Sequence, residues 1–397
     1  MKYLLSSYLM LYLLGTASVL GSDLLVSAAH QEAFIAAWAE VRSLVGIVGV
    51  FCLTGLEQVL VRSPQSSARL LRLLAVQVPV LAVPVSLVVH GLGYLDSYLQ
   101  AYLLAIGSAG TIALYQYYRS HHQRSMAQLT QQGWRIVILA IIAALVLAPG
   151  AVEIGMMVVA VMLAGVAVAA SVALVKRPSR FCVQDPEPVG ALYRIGARFM
   201  VTSSLLALAV YAEQLLVIQV GTTEDSARYF THATFFLFPI SVLNGYAGFL
   251  LGPWVRDNHD RFVDVLRRRW LFVVLGLAGV ALALNGIGHL GWWIMAPSVG
   301  NPSTGLSLIF AACGIMISLY QIPSAYNGVF AQTKHHDALI LAQLLALGCA
   351  FGAFVVSSTS LSAPVVVSVA VASLVNWTLR AGFGIAIVAL IARNRMT

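Results

Sequence analysis

The sequence predicts an all-α, polytopic membrane protein with about twelve transmembrane helices. Three observations carry that reading. Of the 397 residues, 60% are hydrophobic and 10% charged, whereas a soluble domain carries about a quarter charged residues. The mean hydropathy is +0.87. Apolar runs long enough to cross about 30 Å of hydrocarbon recur from one end of the chain to the other. Together they exclude a cytosolic enzyme, a secreted domain and a disordered chain. Twelve spans of about 21 residues leave roughly 12 residues per loop, so no folded extramembrane domain fits.

The expected helices are 4–28, 34–61, 70–92, 97–118, 134–150, 152–175, 199–220, 229–253, 270–289, 303–330, 338–358 and 363–391. Each is bounded by charge or by chain-breaking residues. The first follows Lys2 and the second stops at Arg62-Ser63-Pro64. The third lies between Arg69 and Gly91-Leu92-Gly93, and the fourth ends at Arg119. The fifth ends at Pro149-Gly150, and the sixth at Lys176-Arg177-Pro178. The seventh closes at Gly221 and the eighth at Gly252-Pro253. The ninth starts after Arg267-Arg268-Arg269, the tenth after Asn301-Pro302, the eleventh after Lys334, and the twelfth stops before Arg393. The opening run could also be a signal peptide with a poor cleavage site at Thr16-Ala17-Ser18. Apolar character resumes at once, so it is read as the first span.

The net charge is +8. In a soluble protein such an excess points to nucleic acid; here it reflects Lys and Arg in cytoplasmic loops, and no nucleic-acid partner is expected. With the N-terminus inside, Arg228 is the one basic residue of the 23 on the outer side, and Arg42 and Arg380 lie within spans. Both termini are therefore expected in the cytoplasm. Segment 176–198 divides the chain into an N-terminal bundle (1–180), a linker (181–198) and a C-terminal bundle (199–397). Segment 257–269 is either an amphipathic interfacial helix or a solvated charged turn. Cys52, Cys182, Cys313 and Cys349 show no paired spacing and are read as unpaired.

The halves look like distant copies. Asp23-Leu24-Leu25 is matched by Glu213-Gln214-Leu215-Leu216. Gly55-Leu56-Glu57-Gln58-Val59-Leu60-Val61-Arg62 is matched by Leu251-Gly252-Pro253-Trp254-Val255-Arg256, and Leu114-Tyr115-Gln116 by Leu319-Tyr320-Gln321. The words are short but keep their order. Six spans per half give both halves the same orientation.

Ionisable side chains at membrane depth are costly and mark function. Arg42 shares a helix face with Trp38 at i,i+4. It either contacts an anion in a wet cavity or forms a structural ion pair with Asp23 or Glu40. Asp23 and Glu213 hold matching places in the two halves. They are candidates for a coupling proton or Na⁺, for a counter-charge, or for a polar clasp between helices. Glu57, near the inner end of its helix, need only reach the interface. Tyr320, Ser324 and Asn327 form a stripe at i, i+4, i+7 with Gln321 and Pro323 beside it. Helix eight adds His232, Thr234, Pro239, Ser241, Asn244 and Tyr246. Amides, hydroxyls and rings suit a sugar; interhelical hydrogen bonding is the plainer alternative. Pro239 and Pro323 are candidate kinks.

No Walker A, HExxH or GxSxG motif and no metal-ligand cluster is present. ATP hydrolysis in cis is excluded, and the chain is not expected to be an enzyme.

Two stretches carry a family resemblance. Gly55-Leu56-Glu57-Gln58-Val59-Leu60-Val61-Arg62 resembles the end of helix two in Wzx-type polysaccharide flippases of the multidrug/oligosaccharidyl-lipid/polysaccharide (MOP) exporter superfamily. Residues 191–256 are similar to the start of that family's second half, with Glu213 ahead of a Leu-rich run. Ala227-Arg228-Tyr229-Phe230 stands where the family usually has Gly-x-Tyr, and 27–35 lacks its common Gly-Pro; both are departures. The resemblance implies a MATE-like fold, two six-helix bundles around a central cavity. It implies a flippase that moves an undecaprenyl-diphosphate-type oligosaccharide from inner to outer leaflet of a bacterial inner membrane. The product would be O-antigen, capsule or exopolysaccharide, with membrane lipid and polymerase machinery as partners. A diphosphate calls for arginine: Arg42 first, then Arg228 and Arg380. No cofactor is implied beyond a coupling Na⁺ or H⁺. The competing expectations are a cation-coupled multidrug antiporter using Asp23 or Glu213, and a membrane glycan polymerase.

Overall fold

The structure is a computed structural model that describes residues 7–29, 31–62, 66–147, 154–175, 188–295, 301–330 and 333–396. These residues are almost entirely helical: α1 (Ser7–Ala28), α2 (Glu32–Leu53), α3 (Leu56–Arg62), α4 (Ser67–Gly91), α5 (Tyr98–Ser120), α6 (Arg124–Leu147), α7 (Ile154–Val175), α8 (Val189–Val220), α9 (Thr223–Phe236), α10 (Phe238–Asp257), α11 (His259–Met295), α12 (Thr304–Phe330), α13 (Thr333–Val355) and α14 (Val365–Met396), with a π-helical turn at Val356–Ser360. Eleven helices among the described residues are long and apolar enough to cross a membrane. Helices that close their own backbone hydrogen bonds are the natural way for such a chain to span lipid. The large apolar side chains left exposed, such as Leu271, Phe272, Leu275, Leu290 and Ile294 on α11, are those expected to face acyl chains.

Two expected spans are interrupted. The second is α2 followed by α3, with Thr54 and Gly55 between them at φ of +50° and +77°. A Cβ on Gly55 would strike the carbonyl oxygen of Gly196 in α8, so this glycine is required by conformation and by close approach. The carbonyl of Cys52 freed by the break accepts from Gln77 Nε2 at 3.0 Å, and Thr54 Oγ1 accepts from the same amide at 2.9 Å. Tyr193 of α8 donates to Gln77 Oε1 at 2.7 Å. The eighth span is α9 plus α10, separated at Leu237. Pro239 therefore opens α10 rather than kinking a continuous helix, since a first-turn proline loses no intrahelical bond. Pro323 lies inside α12, which continues through it. The 257–269 segment is largely helical, as the first part of α11 up to a non-helical residue at Arg269.

The chain divides into two compact units, unit 1 within residues 1–29 and 36–215 and unit 2 within 30–35 and 216–397. In the expected linker, 181–187 lie outside the described residues and 189–198 form the first turns of α8. In unit 1, α1 lies alongside α6. Ser7 meets Ser125, Gly15 meets Gln132 and Gly21 meets Leu139, so the two helices run parallel. Elsewhere in unit 1, α4 packs on α5, α3 on α5, α5 on α7 and α6 on α7. Unit 2 repeats these pairings: α11 with α12, α10 with α12, α12 with α14 and α13 with α14. The same order of helix pairs in both units is what an internal duplication produces.

Candidate functional site

In unit 1 a buried polar cluster is assembled from α1, α2, α6 and α8. Asp23 is fully enclosed. One carboxylate oxygen accepts from Trp38 Nε1 at 2.8 Å, and the other lies 2.9 Å from an Arg42 guanidinium nitrogen. Trp38 and Arg42 reach the same carboxylate because they stand one turn apart on α2. The Arg42 side chain keeps 20% of its surface exposed while Asp23 keeps none. Of the two readings the sequence left open for Arg42, the ion pair with Asp23 is present; Glu40 instead accepts from the backbone N–H of Leu95 at 2.7 Å.

A further residue joins them. Arg135, counted with the inner-side charges when α6 was expected to begin at residue 134, lies about 16 Å inside a helix that starts at Arg124. Its guanidinium donates to Gln132 Oε1 at 2.9 Å. Tyr211, Arg42, Tyr12 and Asp23 are its electrostatic neighbours. Gln128 and Gln132 are buried, and with Arg135 they stand at i, i+4, i+7. That spacing was the available signal: three polar side chains on one helical face inside a segment otherwise read as loop. Tyr211, on α8, packs its ring against Gly46 of α2. Glu213 lies half-buried on α8.

Unit 2 holds a second cluster. Arg380 of α14 is 2% exposed. Its Nε donates to Asn376 Oδ1 at 3.0 Å, it shares a hydrogen bond with Tyr320, and its guanidinium lies 5.7 Å from the Trp377 ring centre. The Tyr320 and Trp377 rings are 5.7 Å apart, and Gln343 Nε2 donates to the Tyr320 hydroxyl at 3.3 Å. Tyr320 and Arg380, picked out separately from the sequence, are therefore neighbours. Gln321 and Ser324 are half-buried on α12. Asn327 and Asn244 are buried, and neither Asn327 Oδ1 nor Asn244 Nδ2 has a hydrogen-bond partner.

Arg228 is exposed in α9. Its carbonyl accepts from His232 Nδ1 at 2.8 Å, and His232 Nε2 accepts from the backbone N–H of Ser303 at 3.1 Å. With one ring nitrogen donating and the other accepting, His232 is held as a neutral tie between α9 and the chain entering α12. Among the described residues no group of three or more His, Cys, Asp and Glu is placed to hold a metal.

These helices and their order define a multi-pass membrane protein with the MATE-like fold. An inward-facing multidrug resistance MATE family transporter of the MOP superfamily is similar to the chain with a TM-score of 0.63 and 13% identity, over 98% of this chain and 99% of that one. The eukaryotic MATE transporter AtDTX14 is similar at 0.57 and 12%, over 97% of each chain. A MOP superfamily transporter from Pyrococcus furiosus Vc1, whose reverse polarity of the binding pocket suggests a different function, is similar at 0.57 and 15%, over 98% of this chain and 97% of that one. No family model and no curated protein sequence matches the chain.

Proposed function

We propose that the chain is a bacterial inner-membrane flippase, with both termini cytoplasmic, that carries a polyprenyl-diphosphate-linked oligosaccharide from the inner to the outer leaflet for cell-surface polysaccharide synthesis. The observation that carries this reading is a pair of arginines at membrane depth in unit 1: Arg42, ion-paired with Asp23 at 2.9 Å, and Arg135, well inside α6. Arginines at membrane depth favour an anion, and guanidinium forks match phosphate oxygens. A multidrug antiporter binding organic cations would need an open carboxylate there, and both oxygens of Asp23 face donors. For the Pyrococcus transporter, too, it is the reverse polarity of the binding pocket that suggests a different function.

In this reading Arg42 contacts the diphosphate, Asp23 is its counter-charge, and Trp38 fixes Asp23. Tyr320, Gln321, Ser324, Asn327 and Asn244 serve the glycan through ring faces, hydroxyls and amides, with Arg380 holding Tyr320. Arg228 is the outer of the three sequence-chosen phosphate ligands. The polyprenyl tail stays in lipid. A coupling Na⁺ or H⁺ is assigned to Glu213, no other cofactor is required, and no step of catalysis is involved. The protein partner is polysaccharide polymerase machinery.

The test replaces the ion pair by its neutral isosteres, Arg42→Gln with Asp23→Asn, which leaves no orphaned charge. Surface glycan falls while the level of protein in the membrane is maintained. Full retention of glycan export defeats the diphosphate assignment, and restored resistance to organic cations in an exporter-deficient host would replace it with the antiporter. Glu213→Gln separately abolishes any ion dependence of export; unchanged dependence removes Glu213 as the coupling site.

A further inference from the structure

We propose that the break in α11 is a binding site for an anionic phospholipid. Its headgroup phosphate is held at Arg269, with Arg268 beside it, and its acyl chains lie along Trp270, Leu271, Phe272 and Leu275. The site stands whatever the chain transports; the orientation proposed above serves only to name the leaflet as the inner one.

The sequence from Arg256 to Arg269 carries five arginines and three aspartates, and Trp270-Leu271-Phe272 follows at once. The change from charged to apolar therefore falls between residues 269 and 270. The backbone leaves the helix at the same place, Arg269, with φ −121° and ψ 16°. This divides α11 into a short limb from His259 and a long limb of spanning length. The short limb is docked through Phe262, which is 4% exposed. The Phe262 ring stacks on Tyr326 of α12 at 5.7 Å and meets Trp254 of α10 edge-on at 6.1 Å. Val255, Leu339, Ile387 and Ile391 complete that cluster, where α10, α12 and α14 end and α13 begins. A solvated turn would not bury Phe262. On the other face Arg261, Asp264 and Arg268 are exposed at i, i+3, i+7. The short limb is thus amphipathic, with its charged face open at the end of the apolar span.

The chemistry of the ligand follows from the two sides of the break. Beyond it the side chains are uncovered: Leu271 and Leu275 are exposed and Phe272 is 75% exposed. Phe272 and Leu275 stand about 4 and 9 Å further along the helix than Arg269, within reach of one acyl chain. Trp270 takes the boundary position that tryptophan favours between headgroups and hydrocarbon. At the break, Arg268 Nε lies 2.6 Å from Asp264 Oδ1, between two exposed side chains. Arg269 is also exposed, and no carboxylate among the described residues is ion-paired with it. Arg269 is therefore the principal ligand and Arg268, shared with Asp264, the second. A guanidinium fork matches phosphate oxygens. A soluble anion would use the arginines and leave the apolar wall idle. A zwitterionic headgroup would bring its own cation to a basic surface. An anionic phospholipid satisfies both sides at once.

The experiment uses the full chain in phosphatidylcholine nanodiscs containing a rising fraction of phosphatidylglycerol brominated on its acyl chains, or of equally brominated phosphatidylcholine. Bromine quenches nearby indoles, and the part of the quenching that is lost in Trp270→Phe reports this site. Phosphatidylglycerol is expected to be preferred over phosphatidylcholine by about fivefold for each arginine engaged. Arg269→Gln is expected to lower the preference about fivefold, and Arg268→Gln combined with Arg269→Gln to abolish it. Arg119→Gln, an exposed arginine at the end of α5, leaves it unchanged. Raising salt from about 0.1 M to about 1 M shortens the screening length from about 10 to about 3 Å. The preference of the parent chain then falls, which tests the role of charge without any variant. Equal quenching by the two lipids overturns the site and leaves an ordinary acyl contact. An equal loss in Arg119→Gln and Arg269→Gln overturns it too, because any surface charge would then serve. So does a preference that survives in the double variant or at high salt. Relief of quenching by millimolar inorganic phosphate hands Arg269 to a soluble anion and overturns the lipid. Displacement of phosphatidylglycerol by farnesyl diphosphate at a much lower mole fraction gives the break to a diphosphate lipid, and overturns the phospholipid as its occupant.

Discussion

Arg42 and Asp23 form an ion pair of unequal burial: the carboxylate is completely enclosed and the guanidinium keeps a fifth of its surface exposed, at a separation of 2.9 Å. The two partners are therefore not equivalent, and removing one does not cost the same as removing the other.

Arg42→Ala strands a sealed carboxylate, at a cost of about 3–5 kcal/mol. Asp23→Ala removes one partner of a guanidinium that is partly exposed and leaves the Trp38 N–H without its acceptor, together about 2 kcal/mol. Thermal unfolding of the detergent-purified variants will rank Arg42→Ala as the less stable. An equal loss, or a larger one for Asp23→Ala, contradicts the burial that separates them.

The break in the second span gives a cleaner comparison, between two glycines. Gly55 and Gly93 both have positive φ, +77° and +81°. A Cβ on Gly93 meets open space, whereas one on Gly55 strikes the Gly196 carbonyl. Gly93→Ala pays only for its backbone conformation, about 1 kcal/mol. Gly55→Ala adds overpacking against α8 and reaches about 3 kcal/mol. The melting temperatures and the amount of each variant reaching the membrane check this; similar values would mean that α8 yields at Gly196.

These residues also mark how far the sequence could be read. The spans were legible because hydrophobic length is a one-dimensional property. The partnership of Asp23, Trp38 and Arg42 was half legible. Trp38 and Arg42 share a face by spacing alone, but the choice between Asp23 and Glu40 as partner depends on how α1 meets α2. Arg135 was missed because Gln128 and Gln132 lower the local hydropathy and made the start of α6 look like loop. A polar face buried inside a bundle lowers hydropathy just as a solvated turn does, and only its helical spacing tells them apart. The breaks at Thr54–Gly55 and Leu237 were also hidden, since an apolar run continues across each. Pro239 was visible, but not that it would begin a helix rather than bend one.

Arg380 separates a scaffolding role from a functional one. It is almost wholly buried, and its contacts with Asn376, Tyr320 and the Trp377 ring are all neutral. If these contacts were there for stability alone, an apolar residue of similar volume would do as well, because replacing a buried charge by good packing is often neutral or stabilising. Arg380→Met is therefore expected to unfold at the same temperature as the parent or higher, yet to lose most glycan export. Arg380→Lys keeps the charge but loses the planar fork and the stacking on Trp377; it should be destabilised by about 1–2 kcal/mol and export at an intermediate level. Melting curves and surface-glycan assays on the same membranes provide both readouts. Normal export by Arg380→Met would make the residue a packing element of unit 2 and would take Tyr320, which it holds, out of the substrate path.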